Sequence, residues 1–465
     1  MANFGCKVAL LAMLSIPFVS SAYDIRGRVI SATSRQGVPY ASVVVKGNYT
    51  KGASADSLGF FKIEKLQGGV AQFEASCVGY TTAVTPEYLI SASTPPIEIE
   101  LEESFATIDA VSVVPVANSR SVESPVSMRT IGIGDLERSA GANRDVARIV
   151  RTLPGVAFSP IGYRNDLIVR GGGPSENTFY IDGIEIPNIN HFATQGASGG
   201  PVSILNADLI RQVHFYTGAF PVDRGNALSS VMDITLRDGN PDKQRFKATL
   251  GASEVAFSGS GHFDDRATYI FSVRQSYLQL LFKLLGLPFL PNYIDAQAKV
   301  RIRPSKEYEI VILGLMGVDN MRLNLDEKGE ENEYILSYIP KIEQETFTVG
   351  ATLKHFGGKH IQTFSVGYSY LANRNKKYID NDESSEDNLR LRLRSREGKV
   401  TARFENRSLL GRWRLREGAE LSLRHFFTSS KQLQSSGERA YFNYDTRLAF
   451  VGYALFFLGG LSLSR

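Results

Sequence analysis

Two groups of residues have the types that bind phosphate or metal ions, and neither group is complete. Gly171, Gly172 and Gly173 could cradle a phosphate, but no Lys-Ser or Lys-Thr follows at P-loop spacing and no G-x-G-x-x-G forms. His355 and His360 flank two glycines, but no third metal ligand is near them in the sequence. We therefore interpret both groups as turns.

Two charged segments could hold ions. Residues 319–333 are rich in Asp and Glu, whose oxygens suit Ca²⁺, but they lack EF-hand spacing and predict a solvated extracellular loop. Arginines recur at alternate positions from Arg390 to Arg396, where they would line a lumen and attract anions, or would simply be tolerated by a water-filled interior. No nucleophile–base pair or paired carboxylates stand out. The sequence predicts no enzyme, no catalytic residue, no metal site and no cofactor.

The glycine cluster lies between short apolar runs that predict strands. Residues 167–169 are Leu-Ile-Val, and two further apolar runs, 179–181 and 184–186, flank Asp182-Gly183. An Asp-Gly pair between apolar runs is a strong signal for a β-hairpin. The glycine cluster is thus predicted to be a tight turn between a buried strand and this hairpin.

Arg170-Gly171, followed by Asp182-Gly183, resembles the plug domain of TonB-dependent outer-membrane receptors. The resemblance continues through Gly199-Gly200-Pro201, residues 216–221 and residues 224–229, and it covers most of residues 103–240. It implies an α+β plug over residues 126–240. In that plug Arg170, Gly171, Asp182 and Gly183 would be structural pivots and not ligand contacts.

Within the plug, periodicity predicts further elements. A helix capped by Asn143 would place Val146, Ile149, Val150 and Leu153 on one face. A second helix is predicted over residues 202–213, with strands at 213–217 and 230–236.

The N-terminal part predicts export and a small β-domain. Residues 1–22 have the charge, apolar core and small-residue end of a secretory signal peptide, and Cys77 is then the only cysteine, so no intrachain disulfide can form. Residues 23–102 predict a β-sandwich that resembles the carboxypeptidase regulatory-like domain, an accessory module that precedes the plug in one branch of TonB-dependent receptors. That resemblance rests on Gly27, Gly37, Pro39, Ala41, Val43, Val45, Gly59, Phe61 and Gly79-Tyr80.

The linker, residues 103–125, contains a short alternating stretch. It stands where a TonB box would stand, and such a segment could add as a strand to a partner's sheet edge. The alternatives are the last strand of the sandwich or the first strand of the plug. The residues that we expect to contact TonB are Asp109, Ala110, Val111, Ser112, Val113 and Val114.

Residues 241–465 show the alternation of a membrane β-barrel. Apolar residues alternate with polar or small ones in several segments of about ten residues, although a soluble antiparallel sheet with one wet face shows the same pattern. The segments are 246–252, 347–354, 364–370 and 389–394. Short turns such as 356–359 alternate with long polar links at 319–341 and 376–387, which we place outside the cell. The apolar residues 277–291 predict a short amphipathic helix in a loop.

The expected fold is mainly β: an N-terminal β-sandwich, an α+β plug and an incomplete transmembrane antiparallel β-barrel. Roughly ten strands are predicted after Arg245, whereas a plugged lumen goes with about 22 strands. An open sheet would leave unpaired edges in lipid. The sequence therefore suggests the N-terminal part of a longer receptor, or a truncated product.

These features predict an outer-membrane receptor of a Gram-negative bacterium, exported through the periplasm. The expected partners are TonB in the periplasm, outer-membrane lipid, and a scarce small ligand such as a siderophore, a glycan or a peptide. The net charge of +4 without a long basic run argues against nucleic acid. The alternative function is a surface-binding, adhesin-like barrel that transports nothing.

Overall fold

The structure is a computed structural model, and it describes residues 22–103, 127–138, 145–158, 166–193, 200, 202–251, 253–327, 329–434 and 440–461. The expected signal peptide, apart from its last residue, and the expected TonB-binding residues 109–114 lie outside these ranges. Among the residues that are described, no helix is long and apolar enough to cross a membrane.

The N-terminal domain is built from nine strands. A three-stranded sheet (order β4-β1-β9) and a four-stranded sheet (β3-β2-β6-β7) share a core that includes Val29, Val43, Phe73 and Ile99. The short pair β5-β8 completes it. The strands are β1 Ala22–Ser31, β2 Ser42–Val45, β3 Asn48–Ser54, β4 Phe60–Gln67, β5 Gly69–Ala71, β6 Phe73–Ser76, β7 Ala83–Val84, β8 Tyr88–Ile90 and β9 Ile97–Leu101.

The plug has one five-stranded sheet of order β10-β15-β16-β13-β14, in which only β13 and β16 run parallel, and a separate β11-β12 pair. Its strands are β10 Met128–Gly132, β11 Val156–Phe158, β12 Leu167–Val169, β13 Asn177–Ile181, β14 Ile184–Ile186, β15 Ile210–Tyr216 and β16 Ser230–Leu236. Its helical elements are α1 Ile133–Arg138, α2 Val146–Val150 and the single 3₁₀ turns Pro174–Glu176 and Ala207–Leu209.

Two details of the plug differ from the sequence-based prediction. The helix predicted over 202–213 is wrong: one 3₁₀ turn, capped by the Asn206 side chain, leads straight into β15. That segment is a strand because β10 and β16 pair with it on both sides, with Val213 and Phe215 buried. The cap of α2 is Asp145, whose carboxylate accepts from the Ala147 N–H at 2.8 Å, and not Asn143.

The C-terminal part is one antiparallel sheet of ten strands paired in chain order, as the alternation predicted. Within the described residues its first and last strands each pair with one neighbour, so the sheet is not closed. The strands are β17 Arg245–Leu250, β18 Glu254–Asp264, β19 Ala267–Ser276, β20 Phe289–Ile302, β21 Tyr308–Leu323, β22 Lys341–Phe356, β23 His360–Tyr378, β24 Leu389–Leu410, β25 Trp413–Leu433 and β26 Tyr441–Leu461.

The two ends of this sheet differ in their connections. Short turns at 265–266, 303–307, 357–359 and 411–412 lie at one end. The longer links at the other end carry α3 Leu278–Leu284, α4 Glu330–Tyr338, and the 3₁₀ turns Ile379–Asn381 and Glu386–Asn388. The helix predicted within 277–291 is therefore confirmed, although it is limited to α3. We call the two ends the short-turn end and the long-loop end.

The two faces of the sheet differ in polarity. On β22 the apolar Phe347, Val349 and Leu353 are exposed, whereas Thr346 and Thr348 are buried on the opposite face, where Gln344 is hydrogen-bonded to Ala193 of the plug. The loop predicted from residue 319 begins only at 324, because β21 continues to Leu323. Asp319 is therefore a strand residue, and it is buried.

The arginines between Arg390 and Arg396 do not line the lumen. Lys399 and Arg403 on the same strand are buried and reach plug residues. Strand side chains alternate, so Arg392, Arg394 and Arg396 point to the opposite, outward face. The prediction had the phase reversed: Leu389, Leu391 and Leu393 take the inward face here, whereas the apolar side chains of a barrel strand usually face outward.

Candidate functional site

The plug is attached to one face of the ten-stranded sheet by a buried histidine. His191 Nδ1 donates to Asp319 Oδ1 at 2.6 Å, and Nε2 donates to Asp295 Oδ2 at 3.0 Å. Its ring stacks on Tyr293, with 4.0 Å between ring centroids. Because both ring nitrogens face carboxylates, the imidazole is doubly protonated. Burial alone would lower the pKa of His191, but the two carboxylates outweigh it and raise the pKa to about 9.

Further hydrogen bonds satisfy the two carboxylates that hold His191. Asp319 Oδ2 accepts from the backbone N–H of Phe192 at 2.7 Å, and Asp295 accepts from Arg274 Nε at 3.0 Å. Arg274 also donates to the carbonyl of Ser203 in the plug at 2.8 Å. His191 and Arg274 thus face Asp295 and Asp319, with Glu254 3.6 Å from Arg274, and such pairing is the condition under which buried charges are tolerated. We call His191, Arg274, Asp295 and Asp319 the histidine cluster.

A second ionic contact involves the turn of the predicted plug hairpin. Lys299 Nζ on β20 lies 3.2 Å from Asp182 Oδ2 and 3.1 Å from Asp238 Oδ1. Arg301 on the same strand lies 2.8 Å from Asp238 Oδ2. Burial would raise the pKa of Asp238, but these cations lower it well below its usual range.

A third contact joins the plug to the last strands of the sheet. Asp223 Oδ2 lies 2.9 Å from Arg403 on β24 and 2.7 Å from Arg416 on β25. Arg224 of the plug is 2.8 Å from the same carboxylate. Burial would raise the pKa of Asp223, but the three guanidinium groups lower it. Nearby, Lys399 forms an ion pair with Glu185 of the plug hairpin.

Glycines in the sheet make room for apolar plug side chains. A Cβ added at Gly317 would lie 2.6 Å from Ile204 Cδ1, and one at Gly350 would lie 2.7 Å from Ile184 Cγ1. Both distances are too short for packed carbon atoms. The plug therefore packs closely against the sheet because the sheet has glycines at these two positions, in addition to the ion pairs between them.

The residues predicted as plug pivots occupy special backbone positions. Asp182 and Gly183 have φ of 46° and 83°, and the flanking Ile181 and Ile184 pair with each other, which confirms the β-hairpin. Arg170 and Gly171 also have positive φ, at 51° and 81°. The two pairs lie in separate turns. Their role as pivots stays a prediction.

The N-terminal domain contacts both the plug and the short-turn end of the sheet. Glu98 accepts two hydrogen bonds from Arg303 at the short-turn end of the sheet, at 2.7 and 2.8 Å. The Arg211 guanidinium donates to the Tyr88 hydroxyl. We call these contacts the docking contacts of the N-terminal domain.

The histidine cluster is the functional feature that sequence reasoning missed. On β21 Asp319 follows Leu313, Leu315 and Gly317 on the buried face, and this carboxylate was the available signal. On β20 Asp295 shares its face with Gln297, Lys299 and Arg301 and so did not stand out. His191 follows the hairpin in a segment without periodicity. The hydrogen-bonded residues are more than a hundred positions apart in the sequence, so no local pattern could indicate that they meet.

Comparisons with known proteins agree with the geometry. Residues 25–113 match the model of the CarboxypepD_reg-like domain, and residues 120–231 match the TonB-dependent receptor plug domain. No curated protein sequence matches the chain significantly.

Several solved structures are similar in fold. P. aeruginosa FpvA bound to heterologous pyoverdines is 14% identical with a TM-score of 0.50, covering 73% of this chain and 51% of that chain. The copper transporter OprC is 13% identical with a TM-score of 0.53, covering 72% and 52%. FpvAI in its complex with pyocin S2 is 13% identical with a TM-score of 0.51, covering 83% and 58%. The present chain thus spans little more than half the length of these structures.

The chain therefore has the domain content and the fold of a TonB-dependent outer-membrane receptor. It carries a carboxypeptidase regulatory-like domain before the plug. The ten strands form an open part of a barrel wall around that plug.

Proposed function

We propose that this chain acts in energy-coupled uptake of a scarce ligand across the outer membrane of a Gram-negative bacterium, without catalysis of its own. The observation that carries the proposal is the plug seated on the wall through buried ion pairs, above all the histidine cluster. Such contacts hold a defined closed position, and separating a buried pair costs several kcal/mol. A closed plug of this kind needs work to move.

The proposed source of that work is TonB, acting on residues 109–114. These residues lie between β9 and β10 in the sequence, so force applied there would reach the plug through β10. An extended segment that adds to a sheet edge binds through its main chain. Siderophores, glycans and peptides all suit this proposal as ligands, because the proposed contact of residues 109–114 with TonB does not depend on which ligand is taken up.

The test measures binding of the full chain to the periplasmic domain of TonB by titration calorimetry. Val111→Pro with Val113→Pro removes two main-chain donors from the expected strand and should abolish binding. Ser119→Pro with Ser121→Pro places the same number of prolines in the same linker and should leave binding intact. Equal binding by both double variants would refute the assigned segment. Wild-type protein that does not bind TonB would favour an adhesin-like, non-transporting barrel.

In cells, deletion of residues 109–114 should abolish uptake while ligand binding to the surface is retained. Uptake that is unchanged by this deletion would contradict the proposal. Loss of both uptake and surface binding would instead indicate a folding defect, which the amount of protein in outer-membrane fractions would reveal.

A further inference from the structure

The outward face of the sheet carries a cluster of cations near the long-loop end. It consists of Arg374 and Lys376 on β23, Arg392, Arg394 and Arg396 on β24, and Lys431 on β25. We call these six residues the outward basic patch.

The register places like charges directly opposite each other in this patch. Arg392 on the central strand pairs with Lys376 on one side and with Lys431 on the other. One row further along the strand, Arg394 pairs with Arg374. Residues directly opposite in antiparallel strands have Cβ atoms about 5 Å apart, and like charges there destabilise the sheet.

Carboxylates within the protein offset this repulsion only in part. Arg374 lies 2.9 Å from Glu345, and Arg392 is paired with Glu386 in the adjoining loop at 2.5 Å. Arg394 and Arg396 are exposed, and in the described ranges no carboxylate lies within ion-pair distance of either. The patch therefore holds more positive charge than its own surroundings compensate.

Apolar side chains fix the position of the patch relative to a membrane. Between Asn406 and Arg396 the outward positions of β24 are Gly398, Val400, Ala402 and Phe404, all apolar or without a side chain. From Asn406 to Arg396 the strand rises roughly 33 Å. A tilt of about 40° from the barrel axis reduces this height to roughly 25 Å, which is the height of the apolar band of such barrels. Arg396 thus lies at the upper edge of that band.

We propose that the outward basic patch binds the phosphorylated head group of a lipid in the outer leaflet. The rows of cations, roughly 7 Å apart along a strand, suit a ligand with more than one phosphate. The exposed Val400, Leu421 and Leu423 below them suit its acyl chains. This site lies outside the plug, so it is separate from the proposed uptake, although it requires that the sheet faces a membrane.

The test uses the full chain, purified in detergent, and native mass spectrometry. The probes are a bisphosphorylated lipid A and its dephosphorylated form with the same acyl chains. We expect the protein to retain the bisphosphorylated form. Each cation is expected to strengthen lipid binding about fivefold, so the double variant Arg394→Gln, Arg396→Gln should bind the bisphosphorylated lipid roughly thirtyfold more weakly than the wild type. The matched control, Lys306→Gln with Lys359→Gln, removes two exposed cations from the short-turn end and should bind as the wild type does.

Three results would overturn the proposal. Equal retention of the dephosphorylated lipid would show that only acyl chains are recognised. An Arg394→Gln, Arg396→Gln protein that binds like the control would remove the patch from the site. Inorganic pyrophosphate binding as tightly as the lipid would show that a soluble anion, and no lipid, is the ligand.

A stability measurement keeps the test informative if the variant folds poorly. Without lipid, removing two mutually repelling cations should leave the melting temperature unchanged or raise it, most clearly at low salt. A fall would mean that the protein itself compensates these charges, which contradicts the argument from like-charge pairs.

Discussion

Replacement of His191 by Gln should loosen the plug and remove the pH dependence of its attachment. When the plug is attached to the sheet, the pKa of His191 is raised to about 9, against an ordinary value of 6.5. A tenfold change in proton affinity equals about 1.4 kcal/mol, so protonation of His191 stabilises the attachment of the plug to the sheet by about 3 kcal/mol. The groups that face the imidazole are Asp295, Asp319 and Tyr293, with Arg274 behind Asp295.

The direction of the pH effect follows from the raised pKa. His191 binds its proton more tightly when the plug is attached to the sheet. Protonation of His191 therefore stabilises the attached plug fully below the ordinary pKa, near 6.5. That contribution is lost as the pH rises from about 6.5 through about 9. The plug should therefore be held most tightly at mildly acidic pH. In the Gln variant Asp295 keeps Arg274 as its partner, but the buried Asp319 loses its cation, which costs about 3–5 kcal/mol at every pH in this range.

The assay is hydrogen–deuterium exchange of peptides covering residues 186–193 in the purified full chain, corrected for the intrinsic effect of pH. Wild-type protection should fall by up to about 300-fold between pH 6.5 and 9. His191→Gln should show low protection throughout and no such slope. His214→Gln is the matched control, because His214 hydrogen-bonds to Thr130 and Gln212 inside the plug sheet. A slope that persists in His191→Gln would refute the assignment to this histidine.

Three further substitutions test the remaining contacts. Gly317→Ala places a methyl group against Ile204 and should lower the plug's melting temperature by the equivalent of about 1–3 kcal/mol, whereas Gly314→Ala on the same strand meets open space and should be neutral. Gly183→Ala forces a side chain into a φ of 83° and should cost about 1 kcal/mol or more of unfolding free energy, and Gly225→Ala, which meets nothing within 4 Å, is its control. Arg303→Gln should loosen the N-terminal domain, seen as faster proteolysis in the linker 103–125, because Glu98 loses two hydrogen bonds, and Lys306→Gln in the same turn is its control. Equal effects of Gly317→Ala and Gly314→Ala, of Gly183→Ala and Gly225→Ala, or of Arg303→Gln and Lys306→Gln would contradict the argument for that residue.

The features predicted correctly from the sequence are those set by local chemistry. Asp182-Gly183 specifies its hairpin because the two positive φ angles are a property of the turn itself. The wall strands were visible because each repeats one alternation along its own length. The plug strand at 230–236 was likewise predicted correctly.

The features that failed depend on partners far away in the chain. The strand predicted at 213–217 was right, but residues 210–212, predicted as the end of a helix, belong to the same strand because β16 pairs with them, and a short apolar pattern suits a helix equally well. Asp319 resembled a loop residue because its partner, His191, belongs to another domain. The arginines of β24 were placed on the wrong face, because the phase of that strand is set by Lys399 and Arg403 reaching the plug.

The sheet order of the plug suggests where applied force would act first. β10 is the first plug strand after the linker, it is five residues long, and it lies at the edge of the sheet with β15 as its only strand neighbour among the described residues. Removing it would leave β15, β16, β13 and β14 paired with one another. The histidine cluster and the contacts of Asp182 and Asp223 lie outside β10. Under the proposed mechanism, a pull on residues 109–114 would therefore detach an edge strand before it strained the ion pairs that hold the rest of the plug to the wall.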